Sequence, residues 1–373
     1  MKIQNKSFTF CLRPLILFGI TVVLVKISKA NTNFVENVYS NNIYKYIGQF
    51  LSSIFSIFPF SLWEFVYLGI FLVPLYAIIK LIYIYFKDSV SFKIYILKYS
   101  KILTITLSIS YFTFNVLWGI NYYRPPLKEL LKYSSDEPNV EDLERLCNEI
   151  IDKINNLREY LKEDSNGVVV LDSEFSQLAK EAKIGFNFVK INDEPLSGIY
   201  GNAKPVMLSK LMSYTGITGM YSPFTGEANI NIDIPSISLP VTICHEMAHQ
   251  RGIAKEDEAN YIAYLACINN PSKEFQYSGY QLALTYLMNN LYNVRKESYE
   301  VLRKKYSEGF KRDLNYNYSY WKKKEGTVEK VWNNLNDKYL RSNNQANGVE
   351  SYGLVTRLLL AEYKTREKHR DYN

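Results

Sequence analysis

Residues 242–260 read TICHEMAHQRGIAKEDEAN, and two of the 3 histidines in this 373-residue chain fall there, four positions apart. On a helix, His245 and His249 stack on one face at i and i+4, where both imidazoles reach a single metal ion. Glu246 points about 100° further round the axis, so it reaches a water on that ion without ligating it. The residue types suit the chemistry. Neutral imidazoles hold zinc and leave a coordination position open, zinc lowers the pKa of a bound water, and a glutamate takes the proton. The third histidine, His369, lies in a charged C-terminal stretch.

The elements that must position these groups are legible nearby. Pro240 suits the first turn of a helix and Gly252 the position just past its end, which predicts a helix over Val241–Arg251. A tetrahedral site needs a third protein ligand, and with no further histidine close by that ligand must be a carboxylate. The next helix opens KEDEANYIAYLA. Glu256, Ala259, Asn260 and Ala263 fall at i, i+3, i+4 and i+7, a face of mostly small residues that lets two helices approach. This predicts Glu256 as the third ligand and Asn260 as a partner for a ligating imidazole. Glu258, on another face, is the alternative ligand, and Asp257 the remaining one. An acidic first turn is also what the helix dipole favours without any metal.

Upstream, GMYSPFTGEANINI (219–232) reads as a hairpin with its turn at 222–226. The strand from Ala228 to Ile234 is placed to pair with an extended peptide by strand addition, making Ala228 and Asn231 candidate substrate-binding residues. A hairpin that only covers the helix is the alternative. Hydrolysis also needs a donor for the developing oxyanion. With no histidine left except His369, a tyrosine or an arginine is expected, and Tyr352, Tyr277 and Tyr280 are candidates.

His245-Glu246-Met247-Ala248-His249 followed by Glu256-Asp257-Glu258-Ala259-Asn260 resembles the gluzincin-type zinc metallopeptidases, whose second motif has a glutamate ligand followed four residues later by Asp or Asn. The spacing from His249 to Glu256 is shorter than in the best-known gluzincins. Gly252 echoes the metzincin pattern, yet Lys255 stands where that pattern has its third histidine. The whole arrangement of membrane segments, hairpin and motif helix is similar to an uncharacterised family of bacterial multi-span membrane proteins carrying this motif. The resemblance implies a zincin-like fold, a Zn²⁺ cofactor and a peptide or protein substrate. A catalytically inactive, zinc-stabilised receptor or assembly factor, and a hydrolase of some other amide, are the rival readings.

The first third of the chain is apolar in a different way. Residues 8–27, 65–86 and 102–120 form long runs with few charges, close to the roughly 20 residues a helical span needs; the first also reads as a signal peptide with a cleavage site near Ala30. Lys87, Lys93, Lys98 and Lys101 lie between the second and third runs and Lys2, Lys6 and Arg13 at the N-terminus, which predicts that these parts stay in the cytoplasm. The expected organisation is therefore a membrane region over 1–121 with about three spans, and an extracytoplasmic domain over 126–373. The fold class expected is mainly α, with a small β-hairpin beside the zinc helix. The stretch 47–63, apolar but broken by Pro59, reads as interfacial or re-entrant.

The formal net charge of +7 does not argue for nucleic acid, because much of the surplus flanks the apolar runs and no recognition motif accompanies it. The 4 cysteines lack metal-site spacing, and Cys244 and Cys267 are expected as buried thiols or a single bridge.

Overall fold

The apolar runs of the first third fold as helices over Lys2–Ala30, Trp63–Lys87 and Ser89–Leu117 in a computed structural model that describes residues 2–343 and 352–371. Among the described residues, the helix Trp63–Lys87 is long and apolar enough to cross a membrane, and none of it is buried in the protein. Lysines 93, 98 and 101 dilute the apolar character of Ser89–Leu117. The first helix meets the next segment at a 99° bend.

After that bend the chain returns to the rest of the protein. A π-helical stretch, Val35–Tyr44, and a helix, Lys45–Phe55, lie against the domain that carries the motif. Val35, Tyr39 and Tyr44 join Trp118, Ile120, Tyr122, Tyr221 and Ala254 in a buried cluster. The region expected to be interfacial or re-entrant thus has one face on the domain, with Gly48 against the Gln250 carbonyl. Its other face, bearing Tyr46 and Phe50, is exposed.

The remaining helices build the main core. Val140–Arg158 begins at a capping box, where Asn139 accepts from the Asp142 N–H and Asp142 accepts from that of Asn139. Its Leu143, Leu146, Ile150 and Ile154 are buried as their spacing predicts. Phe175–Phe186, Leu239–Gln250, Glu256–Ile268, Lys273–Val294 and Tyr352–Asp371 complete this layer. Leu239–Gln250 is the motif helix and lies at the centre, touching the first three of its companions and the sheet. Cys147, Cys244 and Cys267 are buried free thiols.

Two small sheets complete the fold. Strands β1 (Lys190–Ile191) and β2 (Glu194–Pro195) form an antiparallel pair. Strands β3 (Lys204–Pro205), β4 (Gly219–Ser222) and β5 (Glu227–Ile230) form a sheet in the order β3-β5-β4, with β3 parallel and β4 antiparallel to β5. The hairpin turn falls at 222–226, with Gly226 at φ +66° closing it. One expectation is corrected here. The strand beginning at Ala228 has no free edge for a peptide, because β3 covers one side and β4 the other. Asn231 is equally occupied: it is fully buried and its Nδ2 donates to Ser213 Oγ and the Ile217 carbonyl.

The sheet also ties the apolar helix to the domain. Glu227 accepts from the backbone N–H groups of Leu62 and Trp63, at the start of that helix. The same carboxylate pairs with Lys204 Nζ at 2.6 Å, and Lys204 donates to the carbonyls of Phe55 and Phe60. Every charge in this buried cluster is satisfied, as burial of ions requires.

Candidate metal centre

The motif helix starts with Pro240 in its first turn and ends at Gln250, with Gly252 at φ +84° turning the chain back. That left-handed turn is why the next helix begins directly opposite, with Glu256 at its first position. His245, His249 and Glu256 converge so that one ligand atom from each lies within 4.8 Å of the others. His245 Nε2 is 3.1 Å from His249 Nε2 and 3.2 Å from Glu256 Oε2, and His249 Nε2 is 3.6 Å from Glu256 Oε1. Donor atoms this close together are able to share one ion at about 2 Å, the length of a zinc bond to nitrogen or oxygen, with the Glu256 carboxylate offering either oxygen.

The orientation of His249 is fixed from behind. Its Nδ1 lies 2.6 Å from the Ile253 carbonyl, so Nδ1–H donates there and Nε2 is left with its lone pair toward the centre. Burial alone would lower the pKa of this imidazole, but the Glu256 carboxylate raises it to about 9. Burial would likewise raise Glu256, and the neighbouring imidazoles instead hold its carboxyl well below the usual carboxylate range. Positive charge at this point is therefore favoured, whether it arrives as a proton or as a cation. Imidazole and carboxylate together suit zinc and its transition-metal neighbours.

Glu246 is buried beside this group. Burial raises its pKa, opposed by the two histidines. The Tyr221 backbone N–H donates to its carboxylate, and Oε2 has no hydrogen-bond partner among the described residues. Gly219 makes the close fit of carboxylate and strand feasible, since a Cβ there would lie 2.5 Å from Glu246 Oε1. The β4 edge thus faces the centre. Asn231 donates to the Thr218 carbonyl and Gly226 to that of Ser222, so the alternation of an antiparallel ladder turns the backbone groups of Gly219 and Tyr221 away from β5.

The other acids have different tasks. Glu258 Oε1 accepts from the Leu127 N–H and from Lys255 Nζ, which takes it out of contention as a ligand in this arrangement. Asp257 is pushed up to about 6 by burial beside Glu258. Asn260 lines the same cavity of about 620 Å³ as His245 and Glu256, but the group that orients His249 is the Ile253 carbonyl. Tyr277 is buried and donates to Asp313 at 2.6 Å, and Tyr280 sits by Lys153; neither approaches the centre. Tyr352 opens the last helix, and its side chain lies outside the described residues.

Several contributors carry no motif. Tyr44 donates to the Gln250 carbonyl at 3.1 Å and shares a hydrogen bond with Tyr221, and Trp118 Nε1 donates to the His249 carbonyl. Arg124 pairs with Glu36 at 2.6 Å and donates to the Gly252 carbonyl. Together they satisfy the carbonyls that a helix leaves open at its C-terminus. Tyr122 and Tyr339 are joined at 3.3 Å, and the charge of Glu256 acts on both hydroxyls.

A family model described as a protein of unknown function, DUF3810, matches residues 39–360, and the chain belongs to this family. The match takes in the apolar helix, the sheet and the whole His245–Asn260 stretch. No curated protein and no solved structure matches the chain.

Proposed function

We propose that this protein is a membrane-anchored zinc metallopeptidase of the gluzincin type. The convergence of His245, His249 and Glu256 on one point, beside a buried glutamate with an unpartnered oxygen, is the observation that carries the reading. Those three residues would hold the ion, which when bound lends Lewis acidity to a water and to the scissile carbonyl. Glu246 Oε2 takes the proton from the attacking water and delivers it to the leaving amine nitrogen. Burial favours its protonated form, which suits the second half of that task. The outward backbone groups of Gly219 and the Tyr221 carbonyl pair with an extended peptide along β4, the Tyr221 N–H being held by Glu246. Tyr339, steadied by Tyr122, takes the role of hydroxyl donor to the oxyanion that the sequence assigns to Tyr352.

Further spans over 8–27 and 102–120, and a domain facing away from the cytoplasm, fit the lysines gathered between 87 and 101 and at the N-terminus. The apolar helix Trp63–Lys87 anchors the protein in either case.

The full-length protein, purified in detergent, tests the reading by elemental analysis and by cleavage of a mixed peptide library. About one zinc per chain is expected, lost in His245→Ala and in Glu256→Gln. Glu246→Gln is expected to keep zinc and lose at least a hundredfold in cleavage. A wild type that takes up no zinc overturns the metal centre. Zinc bound equally by Glu246→Gln and wild type, with no cleavage by either, leaves the zinc-stabilised receptor or assembly factor as the reading.

A further inference from the structure

The helix Lys273–Val294 has Lys273 and Glu274 in its first turn and Arg295 just past its end, yet no charged residue stands between 275 and 294. A helix face turned to water ordinarily carries ions. Here the exposed residues are Thr285, Asn289 and Asn293, which with Gln281 recur every four residues along one side. All four line the cavity that holds His245 and Glu256, joined by Asn290 and by Asn336 of the helix Thr327–Ser342. The side chains of Asn289, Asn290, Asn293 and Asn336 make no hydrogen bond among the described residues. Four accessible amides are therefore free to meet a ligand. Ser278, one turn before Gln281, accepts from the Val241 N–H at 3.1 Å and donates to the Ile237 carbonyl, which fixes the Gln281 end of the row against the start of the motif helix. From Gln281 to Asn293 the row rises about 18 Å, the length of about five residues of extended peptide.

Charge is excluded from this cavity beyond what the chain's composition explains. Lysine and arginine number 44 in the sequence and neither lines the cavity, whose single Asp or Glu is Glu256. That carboxylate is turned to the two imidazoles. A charged side chain entering here would lose water and meet no counter-charge, while an apolar one would cover amides and leave them unpaired. Each carboxamide offers two donors and an acceptor, which peptide groups, other carboxamides and hydroxyls complement. Tyr286 is the tyrosine of the lining and no Phe or Trp joins it, so a row of sugar rings would find few faces to stack on. We propose that the row from Gln281 to Asn293 selects an uncharged polar stretch of the substrate, about five residues rich in Asn, Gln, Ser or Thr on one side of the scissile bond. This deepens the peptidase reading and rests on it.

Full-length Glu246→Gln protein, purified in detergent and supplied with zinc, tests this by fluorescence anisotropy with labelled peptides about ten residues long. One peptide is built of Asn, Gln, Ser and Thr, and two others carry Lys or Glu at alternate positions. The neutral peptide is expected to bind at least tenfold more tightly than either charged one. Asn289→Asp with Asn293→Asp should raise affinity for the lysine peptide at least tenfold, and Asn289→Leu with Asn293→Leu should lower that for the neutral peptide about tenfold, the effect of two hydrogen bonds. Both positions are exposed, so zinc content is expected to stay the same in these variants. Equal binding of the three peptides, or no response to the aspartates, overturns the row as the selecting surface. Tighter binding of an N-acetylglucosamine tetramer than of the neutral peptide assigns the amides to a glycan and overturns the proposal. Cleavage by the wild type separates the two readings: all three peptides cut alike keeps the peptidase and removes the selectivity, whereas selective binding with no cut overturns the peptidase and leaves the row a peptide-binding site.

Discussion

At the scale of single residues, the centre is held by close fits that leave little slack. Gly219 is the sharpest case, because the strand touches Glu246 where any side chain would stand. On the proposed peptidase reading, Gly219→Ala is expected to keep zinc and lower peptide cleavage by at least tenfold, since misplacing a reacting group by about 1 Å costs on the order of a hundredfold. Zinc content and rate, measured on the same preparation, separate the two effects. Tyr339→Phe is expected to lower kcat with little change in KM, because a donor to the oxyanion acts chiefly in the transition state. An unchanged kcat would remove Tyr339 from the mechanism.

At the scale of elements, helix ends and crossings decide stability. Tyr44→Phe removes the hydroxyl that reaches the Gln250 carbonyl, and a buried group left unpaired costs about 1–3 kcal/mol. Chemical denaturation should report a loss in that range. Where Phe175–Phe186 crosses Glu256–Ile268, a Cβ on Gly185 would fall on the Ala266 carbonyl. Gly185→Ala should therefore destabilise by about 1–3 kcal/mol or more, the usual result of overpacking. The last helix adds a pH term through Glu362, which accepts from Tyr261 at 3.1 Å. Burial raises its carboxyl above the ordinary range of a glutamate, so the folded protein binds the proton more tightly than the unfolded chain. Stability from this group is present at low pH and is lost as pH rises through the folded pKa. Melting curves from pH 5 upward should fall less steeply in Glu362→Gln than in wild type.

At the scale of the whole molecule, the N-terminal third and the helices that carry the motif are not separable parts. Val35, Tyr44, Trp118 and Tyr122 bury themselves against the end of the motif helix, and the Glu36–Arg124 pair closes the turn behind it. A fragment beginning at residue 126 would uncover this cluster and leave the carbonyls of Gln250 and Gly252 without their side-chain donors Tyr44 and Arg124. Such a fragment is expected to bind zinc at least tenfold more weakly than the full chain, or to aggregate. Tight binding by the isolated fragment would show that the N-terminal third is only an anchor.

The centre was legible because its signal is local. Two histidines one helical turn apart, a glycine that reverses the chain and a glutamate opening the next helix fix most of the geometry within a dozen residues, and the hairpin turn at 222–226 is equally short-range. The sequence by itself thus determined the motif helix, the placing of Glu256 at the start of its neighbour and the apolar character of the first third. The tertiary structure alone decided which strand has a free edge, because β3 arrives from far upstream and takes the side of β5 that the pattern leaves open. It also decided that Ile253 rather than Asn260 steadies His249, and that Glu258 turns to Leu127 and Lys255. The aromatic supports at Tyr44 and Trp118 lie 205 and 131 residues from the carbonyl they reach. Contacts of that length depend on the whole chain having folded, so no periodicity or spacing near either residue records them.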